Sequence, residues 1–178
     1  QHHLQLYEDN LVDGTVNADI LVEATPTNIT DGEPGLGYIL AAINKGMDIV
    51  SISKGALVTN FHKIRQAAEE KQVQLKYSGA TAAALPTIDI GEYSLIGSEI
   101  EQIEGILNGT TNYILTEMHE TGSSFEEALR KAQEKGIAET DPSLDIEGID
   151  AACKMVLIAN SLLGTSFRVE DVKRTGIT

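Results

Sequence analysis

An aspartate and a lysine four residues apart form the first pattern in this sequence that could carry chemistry. Asp150 and Lys154 lie in a segment with helical periodicity, so both side chains should lie on one face of a helix, with the acid before the base. Their neighbours along the chain are mostly apolar, which indicates a partly buried pair. A partly buried lysine beside a carboxylate can be positioned to transfer a proton. The pattern therefore indicates an enzyme with an acid–base pair.

The segment that contains this pair is rich in carboxylates. Residues 138–154 read AETDPSLDIEGIDAACK and include five acidic side chains and one lysine. A solvated acidic loop that caps a helix is one alternative interpretation. A calcium loop is a weaker one, because Asp141, Ser143 and Asp145 have the spacing of the first ligands but the glycine and glutamate required later in such a loop are absent. We therefore predict no metal site.

A second pattern is the start of a helix within residues 105–114, which read GILNGTTNYI. Glycine and threonine are poor helix formers, yet the apolar residues that follow them have helical spacing. A helix that begins at Gly109 would present backbone amides to a small ligand, Thr110 or Thr111 could cap it, and its positive end would favour a carboxylate. An ordinary capped helix is the alternative.

The first part of the chain alternates strands and helices, with strands predicted at 18–24, 48–53 and 73–77 and helices at 38–45 and 61–71. This order is typical of a parallel α/β sheet, in which ligands bind at the carboxyl ends of the strands. Thr25-Pro26 and Ser53-Lys54 follow the first two strands and should lie on one rim. Lys54 taken alone is equally consistent with an ordinary turn lysine.

The second part has an α+β pattern. Alternating apolar residues predict a half-buried strand at 99–107, and helices are predicted at 110–121, 124–135 and 147–163, the second of them with a cap supplied by Gly122-Ser123-Ser124. We place the domain boundary near residue 58. The expected fold class is α/β, with the remainder of a Rossmann-type parallel nucleotide-binding sheet at 1–58, followed at 59–178 by an α+β domain for substrate binding, catalysis and dimerisation.

The glycine-rich turn of a nucleotide-binding domain is missing from this sequence. Such a domain opens with a strand, Gly-x-Gly-x-x-Gly and a helix whose amides hold the pyrophosphate. The glycines at 32–37 have a different order and do not join a strand directly to a helix. We therefore expect this chain to be a fragment of a longer enzyme and to be inactive by itself.

Composition limits the partners of the protein. The net charge is −14, from 27 acidic and 13 basic residues, which argues against nucleic acid or an anionic membrane as a partner. No apolar run approaches the ~18–20 residues of a membrane-spanning helix. The single cysteine, Cys153, excludes an internal disulfide and suits the cytoplasm.

The two chemical patterns together resemble one family. GILNGTTNYIL at 105–115 and the acidic segment at 139–154 are closely similar to homoserine dehydrogenases, and EATPTN at 23–28 and SKGAL at 53–57 resemble the cofactor-binding segments of that family in the same order. The resemblance implies interconversion of homoserine and aspartate 4-semialdehyde with NAD or NADP, on the route to threonine and methionine. It also implies a homodimer, paired through a sheet that would include residues 99–107 and 73–77.

The resemblance implies roles for residues of the second part. Lys154 would exchange the proton of the substrate hydroxyl, as a catalytic residue with Asp150 beside it. Asp150 and Glu139 would hold the ammonium group of the substrate. Gly109 and Thr110 would contact the substrate at the helix start.

The resemblance also implies a cofactor site in the first part. Thr25 and Pro26 would lie along the ribose, and Ser53 and Lys54 would lie near the nicotinamide, with Lys54 also close to the reacting atoms. Members of the family commonly bind a monovalent cation through one acidic side chain, but Gly79 stands near that position, which argues against a cation here. A non-catalytic module that binds an amino acid or forms dimers is the alternative function.

Overall fold

The computed structural model describes residues 18–177, so the first 17 residues of the expected nucleotide-binding domain lie outside the described part. The chain divides into two compact units. The first comprises residues up to Ser98 together with Leu157–Ser166, and the second comprises Glu99–Val156 together with the residues from Phe167. This division differs from the boundary expected near residue 58.

The first unit contains a parallel sheet of three strands, as the sequence predicted. The strands are β1 (Ile20–Glu23), β2 (Asp48–Ser51) and β3 (Leu75–Lys76), in the order β1-β2-β3. The register pairs Ile20 with Asp48 and Glu23 with Ser51, so the first two strands end side by side. The α/β class is confirmed.

Helices α1 (Gly35–Asn44) and α2 (Gly55–Lys71) pack against each other in this unit. The second begins six residues before the predicted Phe61, because a kink at Asn60 (φ −137°, ψ 31°) interrupts its periodicity. A side chain at Gly55 would come within 2.5 Å of the backbone oxygen of Asn28, so only glycine fits there. Residue 58 lies inside this helix, which explains why the unit does not end there.

Three short helical elements follow: α3 (Ser78–Ala82), α4 (Thr87–Asp89) and a π-helical turn (Ile90–Ser94). Tyr77, just before them, is buried and donates a hydrogen bond to Ser161 Oγ at 2.9 Å. Burial raises the pKa of Tyr77 to about 12. This tyrosine therefore stays neutral and serves packing within the first unit.

The second unit is helical. Its elements are α5 (Gly109–Thr121), α6 (Phe125–Glu134), α7 (Ser143–Ile146), α8 (Ile149–Leu162), whose last turns belong to the first unit, and a 3₁₀ turn (Val169–Asp171). The three predicted helices are thus confirmed to within a few residues. The predicted cap is confirmed as well, because Ser124 Oγ accepts a hydrogen bond from the amide of Glu127. No helix among residues 18–177 has the length and apolar character needed to cross a bilayer.

The strand predicted at 99–107 is wrong. Residues 98–108 have no regular secondary structure, and Ile106 is 77% exposed. An alternating pattern forms a strand only beside a partner whose backbone completes the ladder. The segment expected to be that partner instead contributes Leu75 and Lys76 to the parallel sheet. The sheet expected for dimerisation is therefore not formed within the described chain.

Candidate active site

Asp150 and Lys154 form the partly buried pair that the sequence predicted. Their Oδ2 and Nζ atoms are 2.6 Å apart on one face of α8, and the side chains are 14% and 18% exposed. This separation is that of a strong charge-assisted hydrogen bond. The pair is therefore preformed in the second unit.

The lysine is held from a second side by the segment that leads into α5. Lys154 Nζ donates a hydrogen bond to the backbone oxygen of Leu107 at 2.8 Å. An ammonium group has three donors, and these two contacts fix their direction. Two sequence patterns that lie 47 positions apart thus meet at one nitrogen atom.

Asn108 joins the same cluster, although the sequence analysis did not select it. Its side chain is almost fully buried, and its Nδ2 donates hydrogen bonds to Asp145 Oδ1 at 2.6 Å and to Asp150 Oδ2 at 3.0 Å. We call Asn108, Asp145, Asp150 and Lys154 the Asn108 cluster. All four residues belong to the second unit.

The same asparagine caps α5, which corrects the prediction that Thr110 or Thr111 does so. Asn108 Oδ1 accepts a hydrogen bond from the amide of Thr111 at 2.9 Å. The capping side chain belongs to the residue before the first helical turn, and it bonds to the third residue of the helix. Asparagine is among the strongest capping residues, so its position directly before Gly109 was a usable signal.

Gly109 and Thr110 differ in what they offer a ligand. A side chain at Gly109 would meet no atom within 4 Å, so the start of α5 is open at this point, as the sequence predicted. Thr110 is buried, and its hydroxyl donates a hydrogen bond to the backbone oxygen of Ile137 at 3.1 Å. Thr110 therefore ties the helix start to the loop after α6.

Glu139 is not a member of the Asn108 cluster. It is exposed, and its backbone oxygen accepts a hydrogen bond from Gln133 Nε2 at 3.2 Å. The second carboxylate of the cluster is Asp145, which the spacing argument considered only as a calcium ligand. The role implied for Glu139 stays a prediction.

The acidic loop has a structural use as well. Hydrogen bonds from the side chain and the amide of Ser143 hold the pKa of Asp141 below its ordinary value, and the amide contact measures 3.1 Å. This arrangement satisfies an amide at the start of α7, which carries Asp145. Within residues 18–177 no three His, Cys, Asp or Glu side chains are grouped so that they could hold a metal ion.

In the first unit, a buried glutamate organises the carboxyl edge of the sheet. Glu23 is 2% exposed. Its Oε1 accepts hydrogen bonds from the amide of Thr25 at 2.8 Å and from the Thr25 hydroxyl at 2.6 Å, and its Oε2 accepts one from Ser51 Oγ at 2.6 Å. Glu23 was not among the predicted site residues, although a glutamate that ends an apolar strand was a usable signal.

The predicted cofactor residues are found at this edge with different exposures. Glu23 at the end of β1 is paired with Ser51 at the end of β2, and Ser51 Oγ donates a hydrogen bond to Glu23 Oε2, so both strand ends share one rim, as predicted. The Ser53 side chain is buried, Pro26 is exposed, and Lys54 is half-buried just before α2. Pro26 is thus the most accessible of the group, and Thr25 is half-buried like Lys54.

The edge fits one end of a dinucleotide better than the other. Hydroxyls, backbone carbonyls and a lysine suit a ribose and a nicotinamide, whereas a pyrophosphate needs free amides at a helix start directly after a strand. The first turn of α1 does not offer them, because its amides at positions 36–38 already donate to the backbone oxygens of Gly32 and Pro34 and to the Glu33 carboxylate. A carboxylate therefore already faces that helix start.

Two family models match this chain. The family model for homoserine dehydrogenase matches residues 86–178, and the model for the homoserine dehydrogenase NAD binding domain matches residues 2–78. The chain belongs to the homoserine dehydrogenase family. The Glu23 edge lies in the stretch that the NAD binding domain model matches, and the Asn108 cluster lies in the stretch that the homoserine dehydrogenase model matches.

Individual relatives agree with this assignment. A homoserine dehydrogenase from Methanocaldococcus jannaschii is 43% identical over 163 residues, which are 92% of this chain and 48% of that protein. An NAD(+)-dependent homoserine dehydrogenase from Pseudomonas canavaninivorans is 40% identical over 161 residues, 90% of this chain and 46% of that protein. The crystal structure of a homoserine dehydrogenase from Thiobacillus denitrificans superposes with a TM-score of 0.85 at 34% identity, over 95% of this chain and 38% of that one. The chain spans between about a third and about half of the length of the curated homoserine dehydrogenases it matches.

Proposed function

We propose that this chain provides the substrate-binding and proton-transfer region of an NAD- or NADP-dependent homoserine dehydrogenase, which interconverts homoserine and aspartate 4-semialdehyde. The observation that carries the proposal is the placement of Lys154. Its amine is fixed by Asp150 and by the Leu107 carbonyl, next to the helix start whose Gly109 is open to a small ligand.

Lys154 handles the proton of the reaction. In the direction of oxidation, the Lys154 amine takes the proton from the hydroxyl on C4 of homoserine as the C4–H bond breaks. The oxidised nicotinamide cofactor, when bound, supplies the acceptor for the hydride. In the direction of reduction, the lysine ammonium returns the proton to the aldehyde oxygen. Asp150 keeps the lysine nitrogen oriented during both steps.

The ends of the amino-acid substrate find complementary charges in the same unit. The amides at the start of α5 and its positive helix end suit the substrate carboxylate. Asp145 and Asp150 both accept hydrogen bonds from Asn108 Nδ2, and their negative charges suit the substrate ammonium, together with Glu139 as the resemblance implies. A substrate that carries both charges fits this arrangement.

Thr25, Pro26, Ser53 and Lys54 are the residues that would hold the nicotinamide end of the cofactor. The support is their shared position at the carboxyl edge of a parallel sheet, where such ligands bind. The NAD(+)-dependent relative supports NAD, while the choice against NADP rests on a residue near the ribose 2′ position. A monovalent cation stays less favoured because of Gly79.

The wider setting follows from the family. The proposed reaction lies on the route to threonine and methionine in the cytoplasm, and the proposed enzyme is a homodimer. Substrate binding without turnover is a second candidate function for the chain taken alone. The occupied amides in the first turn of α1 favour it, because the pyrophosphate would have no anchor there.

The test is an assay of the complete enzyme that contains this sequence. Oxidation of homoserine is followed by the appearance of reduced nicotinamide, with NAD and NADP supplied in separate experiments. Homoserine-dependent turnover with either cofactor is the expected result. Homoserine that binds in a calorimeter without turnover would favour the non-catalytic module, and neither binding nor turnover would refute both functions.

A further inference from the structure

Asn108 makes more contacts than the cap of a helix requires. Its Oδ1 alone satisfies the cap by accepting from the amide of Thr111. Its Nδ2 is thereby left for another purpose, and it donates to Asp145 and Asp150, which lie 37 and 42 positions further along the chain. The carboxamide thus uses both of its ends, and only one of them serves the helix.

The neighbouring helix shows what a purely local cap looks like. Ser124 is exposed, and its hydroxyl accepts from the amide of Glu127, while the Glu127 carboxylate accepts from the amide of Ser124 at 3.3 Å. This reciprocal arrangement closes within four residues. The contrast indicates that the long-range contacts of Asn108 are additional to helix formation.

The long-range contacts converge on the atom that pairs with the lysine. Asp150 Oδ2 receives hydrogen bonds both from Lys154 Nζ at 2.6 Å and from Asn108 Nδ2 at 3.0 Å. Two fixed donors on one oxygen limit rotation of the carboxylate. The carboxamide also stands between two aspartates that would otherwise repel each other. Removal of its donor would free Asp150 to turn.

We propose that Asn108 is a positioning residue: its carboxamide holds Asp150, and through Asp150 holds Lys154, in the geometry needed for proton transfer. This inference rests on the proposed function for its kinetic consequence. Its structural consequence, a fixed Asp150–Lys154 pair, is independent of that function. The two can therefore be tested separately.

The main experiment uses two variants of the complete enzyme that keep a capping side chain. Asn108→Ser retains an acceptor for the Thr111 amide but has no donor that reaches both aspartates. We expect kcat to fall by roughly 10-fold to 10²-fold, since a misplacement of about 1 Å can cost that much. Asn108→Asp also keeps the cap but adds a third carboxylate, so its kcat should fall further. Melting temperatures show whether both variants fold.

Two controls separate positioning from general damage. Ser124→Ala removes a cap in the same unit without touching the Asn108 cluster, so it should lower the melting temperature and leave kcat unchanged. In an Asp150→Ala background, Asn108→Ser should change kcat by about twofold or less, because its effect passes through Asp150. A full additional loss in that background would show that Asn108 acts independently, which would overturn the inference.

A crystal structure of Asn108→Ser gives a readout that does not depend on activity. We expect the distance between Asp150 Oδ2 and Lys154 Nζ to increase from the present 2.6 Å. An unchanged pair, or a wild-type kcat in Asn108→Ser, would overturn the positioning role. Failure of the unaltered enzyme to oxidise homoserine would instead refute the proposed function, and the crystal structure would still decide whether Asn108 holds the pair.

Discussion

The Glu23 edge and the Asn108 cluster bring distant residues together by different means. At the edge, the register of β1 and β2 sets Glu23 beside Ser51, and the carboxylate then binds donors that the backbone has already brought near. In the cluster, no strand ladder holds the members. Asn108 reaches Asp145 and Asp150 only through its side chain.

This difference predicts which property of the protein a substitution in each region would change. A backbone ladder keeps the edge in place when one side chain changes, so the main cost there should be a loss of stability and of cofactor affinity. A cluster held by side chains loses its geometry with a single substitution, so the main cost there should be a loss of rate.

The largest contrast is expected when this chain of 178 residues is assayed alone. With saturating NADPH and aspartate 4-semialdehyde, turnover should be below detection, because positioning of two reactants is worth as much as ~7–11 kcal/mol and the pyrophosphate lacks its glycine-rich anchor. Calorimetry should still detect homoserine, since the Asn108 cluster is complete. Turnover at an ordinary rate of ~1–10³ per second would contradict the assigned cofactor site.

Replacement of Lys154 by alanine in the complete enzyme should lower kcat by ~10²–10⁴-fold, the typical worth of one acid–base group. Lys131 is a matched control, because it also pairs with a carboxylate in the second unit, Glu117, at 2.6 Å, but its side chain is 38% exposed. Lys131→Ala should turn over like the unaltered enzyme. Equal kcat values for Lys154→Ala and Lys131→Ala would show that Lys154 does not act in the proton transfer.

Glu23→Gln should act mainly on stability and on the cofactor. The carboxamide oxygen can still accept from the Thr25 amide, while its N–H₂ group takes the place of the oxygen that accepts from Ser51 Oγ, whose hydroxyl must then accept instead of donate. The hydrogen bonds to a buried charge are thereby lost, and such a bond is worth about 1.5–3 kcal/mol. We expect this loss in urea unfolding, with a higher KM for the cofactor and a smaller change in kcat. Glu33→Gln is the control, since the exposed Glu33 can still accept the Gly37 amide as an amide side chain. A kcat loss as large as that of Lys154→Ala would show that the strand ladder does not preserve the geometry of the edge when Glu23 is replaced.

The smallest effect is expected for Ser124→Ala. Loss of this local cap should lower the free energy of unfolding by about 1 kcal/mol, measured by urea titration of the 178-residue chain. Asn108→Ala should cost more in the same titration, because it also leaves the contacts to Asp145 and Asp150 unmade. Equal losses would mean that the long-range contacts of Asn108 add nothing to stability.

Sequence patterns predicted the elements well where the determining contacts are local. Strands, helices and the Ser124 cap follow from short-range periodicity and from neighbours three or four residues away. The strand at 99–107 was wrong because alternation specifies a face and not a partner. The start of α2 was placed too late because the kink at Asn60 reset the helical pattern.

For the candidate site, the sequence by itself determined the pairing of Asp150 with Lys154, because a spacing of four on a helix fixes neighbours without any tertiary contact. It also determined the family, through motifs that stand in order along the chain. Only the tertiary structure decided that Asn108 and Asp145 complete the cluster and that Glu139 stands outside it. Contacts between residues 37 or more positions apart depend on how helices pack, and no local spacing encodes that packing.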